Sequence, residues 1–172
     1  MEIYWNSIFT AINLIFSFDK KLIEVFFLSF KVTIIALFIS CFIGLPLGTF
    51  LATQKFKGRN LLIGIINSLM SLPPVVVGLF VYINLSRSGP FGWLGILYTP
   101  TAMIIAQIIL ILPIIAGLTT QIIEDLQENY NDLFVSLVTP KITTIKAYII
   151  DARYSLITVV LAGLAKGISE EH

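Results

Sequence analysis

Three stretches of this chain carry no charged residue over a length that matters: residues 32–51, residues 61–85, and everything between Arg87 and Glu124. A helix needs about 20 predominantly apolar residues to cross roughly 30 Å of hydrocarbon, so runs of this length commit the chain to a membrane before any motif is read. Composition agrees, with 57% hydrophobic and 12% charged residues, where a soluble domain carries about 25% charged. An ordinary water-soluble enzyme is excluded. The 11 basic and 10 acidic residues leave a net charge of +1, so there is no basic face to hold a nucleic acid. Cys41 is the single cysteine and lies in an apolar run, where a buried thiol is the expected state; a disulfide or cysteine-based metal cluster is ruled out. The one histidine, His172, is the last residue. Neither a metal site nor a cofactor is expected.

Within the third charge-free stretch, Gly89, Pro90, Gly92, Gly95 and Pro100 break the first part into a loop, so the span itself is expected over residues 101–123. Thr99 is placed to cap that helix and Pro100 to occupy its first position, where a missing N–H costs nothing. A fourth apolar stretch, residues 154–164, is interrupted by Lys166. It either lies at the membrane interface or is the first part of a helix whose remainder is missing, and the second reading is favoured. At the amino end, no basic segment and no small-residue cleavage site precede Asp19, so a secretory signal is not expected. Ile3, Ile8, Ala11, Leu14 and Ile15 form a helical stripe there, with Tyr4 and Trp5 suited to headgroup depth. The chain thus reads as one all-α, polytopic membrane helical bundle over residues 1–172: an interfacial segment 1–21, three full spans within 22–123, a cytoplasmic loop 124–153, and a partial fourth span 154–172.

Orientation follows from the basic residues. Lys55, Lys57 and Arg59 lie between the first two spans, and Lys141, Lys146 and Arg153 follow the third. The opposite side holds Arg87, with Lys20, Lys21 and Lys31 interspersed by Asp19 and Glu24. The excess of Lys and Arg places the first group in the cytoplasm.

Every span contains proline: Pro46, the pair Pro73 and Pro74, and Pro113. Proline removes one backbone bond and clashes with the preceding turn, so bent helices are expected. The adjacent pair, preceded by Asn67, Ser68 and Ser71, puts unpaired carbonyls and small polar groups at one level, as a helix does where it lines a cavity. Asn67, Ser68, Ser71, Pro73, Pro74 and Gln107 are therefore the candidates to line a path, with ordinary interhelical hydrogen bonding as the alternative for each. Gly44 and Gly48 form a GxxxG, read as close helix packing. No Asp, Glu, Lys, Arg or His lies inside the three spans, which argues against proton-driven or voltage-gated transport. Any solute movement must draw its energy from a partner. No nucleophile paired with a base and no phosphate-cradling glycine loop occurs, so the chain is not expected to be an enzyme by itself.

After the third span, Glu124, Asp125, Glu128 and Asp132 alternate with apolar Leu126, Leu133, Phe134 and Leu137. This reads as a short amphipathic helix, a turn near Thr139 and Pro140, and a segment returning to the membrane. It is either a solvated loop resting on its own helices or a helix that docks into a partner's groove.

The pieces PPVVVG (residues 73–78), SRSGPFGWLG (86–95) and YTPTAMIIAQ (98–107) resemble the membrane-spanning permease of bacterial tungstate importers of the ATP-binding-cassette class. The resemblance covers nearly the whole chain from about Leu22. The broader MetI-like permease superfamily includes molybdate and sulfate importers. The resemblance implies a multi-pass protein of the bacterial inner membrane that pairs with a second permease copy, surrounded by lipid. Its partners would be a cytoplasmic ATPase subunit, which would hold the ATPase activity, and an extracytoplasmic binding protein that delivers the oxyanion. It places the ATPase-docking loop on Asp132, Leu133, Phe134, Leu137 and Val138.

Two departures stand against it. The expected Glu-Ala-Ala of the docking loop is Asp-Leu-Phe, and its glycine is Val138, a β-branched residue that tolerates positive φ poorly. The family also continues past residues 168–170 with another membrane helix, so a truncated permease is expected. Molybdate or sulfate transport, and a non-transporting membrane fragment, remain the competing readings.

Overall fold

In the computed structural model, the backbone of residues 20–136 and 141–169 is described, with side chains for 23–130 and 142–169. Every regular element among them is a helix. They are α1 (Lys20–Thr53), α2 (Arg59–Met70), α3 (Pro74–Leu85), a 3₁₀ turn (Gly92–Leu94), α4 (Pro100–Ser136), α5 (Lys141–Asp151) and α6 (Arg153–Ser169). Residues 1–19 of the expected interfacial segment 1–21, and the docking-loop residues Leu137 and Val138, lie outside the described residues, while Lys20 and Lys21 belong to α1. By its contacts the chain divides into Met1–Lys31 and Val32–His172. In the first unit the α1 residues Val25, Phe26, Phe27 and Phe30 are exposed. All packing described next belongs to the second.

Helix α4 is the central element, and three apolar clusters surround it. Ile111 and Ile115 pack with Ala36 and Leu37 of α1 and Val159 of α6. Ala102 and Leu110 pack with Val77, Val81 and Leu85 of α3. Ile123 packs with Ala52 of α1, Tyr148 of α5 and Ala152. Glycines bring the backbones together where side chains would hold them apart. A Cβ on Gly44 would lie 2.9 Å from Ile115 Cγ2, and one on Gly48 would lie 2.6 Å from the Ala116 carbonyl oxygen. The expected GxxxG packing is therefore realised, between α1 and α4. Large apolar side chains cover the outside, among them Phe38, Phe42 and Val75. Water would penalise that exposure and hydrocarbon does not.

The bend expected at the paired prolines is realised as a full break: the second apolar stretch forms two helices of 12 residues each, α2 and α3, bent by 102°. Twelve residues reach only about 18 Å, so neither crosses a membrane alone. Their contacts along α4 decide what the pair does. At its start Arg59 pairs with Glu124 of α4, and at its end Leu85 shares a cluster with Ala102 of α4. Those two α4 residues are about 33 Å apart along the axis at 1.5 Å per residue, the full hydrocarbon thickness. Contacts with α4 at both of these levels are those of a broken span.

Two single helices, Ile23–Thr53 and Pro100–Tyr130, are long and apolar enough to cross by themselves. Both are continuous through their internal prolines, Pro46 and Pro113. The α5 and α6 helices meet at 65°. From Ala152 beside Ile123, α6 climbs along α1 and α4 until Gly167 lies against Thr33 and Ile111. One face of α6, with Val159, Gly163 and Gly167, packs on the bundle, while Tyr154, Ile157 and Leu161 are exposed on the other.

Candidate functional site

The break between α2 and α3 is built by its prolines. In a continuous helix the N–H groups of residues 73 and 74 would bond the carbonyls of Leu69 and Met70; proline offers none. The chain tightens instead, with Ser71 N–H donating to Ser68 O and Leu72 N–H to Leu69 O, each at 3.2 Å. Pro73 then turns out into extended backbone (φ −65°, ψ 139°) and Pro74 opens α3.

Asn67, Ser68, Ser71 and Pro73 are exposed around this break and Pro74 is half-buried. Ser68 also lines a groove of about 470 Å³ with Asn60, Gly64 and Leu72. Five of the six candidate path residues are thus brought together. The donors they offer are few. Val76 and Val77 N–H both point to Pro73 O, and the prolines have none, so the start of α3 is not the usual anion-binding helix end. What remains is the Asn67 amide and two hydroxyls. Ser68 Oγ donates to Gly64 O at 2.8 Å and Ser71 Oγ to Asn67 O at 3.5 Å, leaving their lone pairs outward.

Gln107 is not part of this group. It is buried on α4, where its Nε2 donates to Thr33 Oγ1 of α1 at 3.3 Å. Asn67 meets α4 at Gly117, about 15 Å further along the axis. Gln107 belongs with the polar groups buried between α1 and α4. Among these, Thr120 Oγ1 donates to Ala116 O at 2.8 Å and reaches Gly48 O at 3.2 Å. Ser40 Oγ and Thr119 Oγ1 are fully buried with no hydrogen-bond partner among the described residues.

The amphipathic helix expected after Ile123 is not a separate element: α4 does not end at Ile123 but continues unbroken to Ser136. Asp132, Leu133 and Phe134 therefore ride on a rigid extension reaching about 20 Å past the last span residue. Leu126 packs that extension against the cluster around Tyr148. Tyr130 hydrogen-bonds Asp151 at the end of α5, and the carboxylate beside it raises the phenol above its ordinary value. The Thr99 cap is corrected too: its hydroxyl donates back to Ile96 O and does not accept from α4, although Pro100 does open the helix.

Two features went unread in the sequence. Arg59 entered only as a positive charge to be counted. In the structure its Nη2 pairs with Glu124 Oε1 while its Nε donates to Leu51 O at 2.6 Å, so one guanidinium ties α1, α2 and α4 together. With side chains 21% and 36% exposed, the pair adds only about 0.2–1 kcal/mol to stability; its effect is positional. The alternation of acidic and apolar residues after Ile123 hinted that α4 runs on, but nothing local marks Glu124 as Arg59's partner. The second feature is the placement of Lys166, which the sequence shows only as the interruption of the fourth apolar stretch: it lies between Gly163 and Gly167, two glycines that abut Ile111 at mid-length of the charge-free part of α4. A cation therefore stands on α6, outside the three spans in which none was expected.

A helical bundle whose first three spans carry no charge, one of them broken at paired prolines, with a central helix that projects beyond its basic end, is that of a multi-pass membrane protein. The chain belongs to the binding-protein-dependent transport system inner membrane component family, whose model matches residues 44–165. It is 36% identical over 170 residues to the tungstate uptake system permease protein TupB of Peptoclostridium acidaminophilum, a match covering 99% of this chain and 75% of that protein. A Haloferax volcanii protein named "Probable anion ABC transporter permease protein" is 32% identical over 87% of this chain and 64% of its own length. The TupB of Campylobacter jejuni is 32% identical over 67% of this chain and 48% of its own.

Proposed function

We propose that the chain is the membrane-spanning permease subunit of an ATP-binding-cassette importer in the bacterial inner membrane, and that it passes tungstate. The observation that carries this reading is the 36% identity to a tungstate permease over 99% of the chain. The basic end, with Lys55, Lys57, Arg59 and Glu124, faces the cytoplasm. There the α4 extension carrying Asp132, Leu133 and Phe134, together with Leu137 and Val138, engages the ATPase subunit. An oxyanion-binding protein delivers the ion from the far side to a passage completed by a second copy of the chain. The break at Asn67–Pro74 forms the passage wall. Its Asn67 amide, beside serine hydroxyls whose protons are already given to backbone carbonyls, holds a dianion only weakly, and conduction needs sites weak enough to leave.

The test is uptake of tungstate by cells that lack their own permease and carry this chain with its ATPase and binding protein. Uptake abolished by deletion and outcompeted by tungstate before molybdate or sulfate is the expected result. Equal competition by all three ions assigns a broader oxyanion permease. No uptake above background, with the chain present in the membrane, assigns a non-transporting fragment.

A further inference from the structure

We propose that Arg59 is a positioning residue that links the α4 extension to the broken span through its pair with Glu124; the inference rests on the permease reading above. Three observations meet at this point. The guanidinium joins Glu124 on α4 and Leu51 O at the end of α1 while itself opening α2. Seven residues along α2, Ile66 and then Met70 close over Gly117, which lies seven residues back from Glu124 on α4; a Cβ there would lie 2.6 Å from Met70 Sδ. Helix α2 therefore runs antiparallel to α4 in matched register over two turns, touching it through a charge at one end and bare backbone at the other. Beyond the second contact comes the Ser71–Pro73 break with its exposed polar groups.

A displacement of the α4 extension moves Glu124 directly, because no helix break separates residue 124 from Asp132. Through Arg59 it pulls the start of α2, and the bend at the prolines converts that pull into a change at Asn67, Ser68 and Ser71. Without the charge contact, α2 is held to α4 only by apolar packing, which lets it slide. Gly58, at φ 95° before α2, gives the joint freedom to turn.

Two measurements test this on the full chain in membranes. In cells with the whole transporter, Arg59→Glu and Glu124→Arg should each cut tungstate uptake about tenfold while ATP hydrolysis continues, and the double exchange should recover at least about a third of it. Chain abundance and recovery of the ATPase subunit should stay within about twofold of the unmodified protein, so that coupling and not folding is read. Uptake unchanged in both single variants, or falling only in step with chain abundance, overturns the proposal. The second measurement needs no substrate. In a Cys41→Ala background carrying Ser68→Cys, the rate of maleimide labelling should change about fivefold or more when Glu124→Gln is added, although position 68 lies about 14 Å along α2 from Arg59. An unchanged rate overturns the positioning role. If the unmodified chain takes up no tungstate, the permease reading fails, and the labelling rate alone decides whether Arg59 positions α2.

Discussion

Glycine identity decides where α1 and α4 can touch. A Cβ on Gly48 would meet the Ala116 carbonyl and Thr119 at distances no side chain tolerates, and Thr120 Oγ1, which donates to Ala116 O, reaches Gly48 O across the same contact. Gly48→Val forces the helices apart and strains the Thr120 bond, costing about 1–3 kcal/mol by overpacking. Gly64 and Gly78 meet nothing within 4 Å, so Gly64→Ala should be neutral or slightly stabilising, since alanine is the better helix former by about 1 kcal/mol. Thermal unfolding of the detergent-solubilised chain, followed by size-exclusion fluorescence, should show the first variant melting several degrees lower and the second not. The Gly44–Gly48 spacing was legible because four residues return to one helix face. Gly117 was not, because its partner Met70 lies on a different helix and no spacing connects them. Gln107 shows the same limit in reverse: a polar side chain in a span reads identically whether it lines a path or, as here, donates to Thr33.

At the scale of elements, the prolines were legible and their consequence was only half so. Pro46, Pro113 and the Pro73–Pro74 pair all remove backbone bonds, yet α1 and α4 continue through theirs and only the pair breaks its span. Two consecutive missing N–H groups leave no single neighbour able to bridge the gap, which one proline does allow. Replacing both by alanine restores the donors, and α2 should run on into α3. Spin labels at Gly64 and Phe80, in a Cys41→Ala background, should then move from roughly 15 Å to roughly 24 Å apart by electron–electron resonance distance measurement. An unchanged distance would mean that packing against α4, not the prolines, sets the bend. The carboxyl-terminal elements are joined differently, through Tyr130 and Asp151. Helix α4 is longer than the hydrocarbon requires, and Tyr130 lies about 10 Å beyond Ile123, past the charged Glu124, Asp125 and Glu128, outside the charge-free part of the helix that crosses the membrane. The phenol's folded pKa is raised above its ordinary value by the bond to Asp151 and the carboxylate's charge. Its contribution to holding α5 is therefore complete at neutral pH and is lost only as pH climbs through the raised value, above 10. Tyrosinate absorbance during alkaline titration should show one phenol moving to lower pH in Asp151→Asn, with no change near neutrality.

For the whole molecule, the helices' directions follow from which of their ends share a cluster. Ala52 near the end of α1 and Ala152 at the start of α6 both meet Ile123 of α4, so α1 and α4 run the same way and α6 runs back. The broken pair must then carry the chain from the Glu124 level to the Ala102 level, as its contacts show. Charge alone had suggested this arrangement, because residues separated by whole spans fall on alternate sides; it could not show that α2 and α3 share one crossing. The two ends differ in chemistry. One carries Lys55, Lys57, Arg59, Lys146 and Arg153, while the other carries Arg87 and a glycine-tightened turn in which Phe91 N–H bonds back to Asn84 O at 3.0 Å. The turn leaves Trp93 and Tyr98 more than four-fifths exposed, as aromatic side chains are where they sit at a headgroup boundary. Orientation is therefore a prediction about two exposed positions. In a Cys41→Ala chain, Lys57→Cys should react with a membrane-impermeant maleimide only after the cells are permeabilised, and Trp93→Cys should react while they are intact. Each substitution leaves the buried clusters untouched, so the pattern reads side and not folding. The reverse pattern would put the α4 extension outside the cell, beyond the reach of any cytoplasmic ATPase.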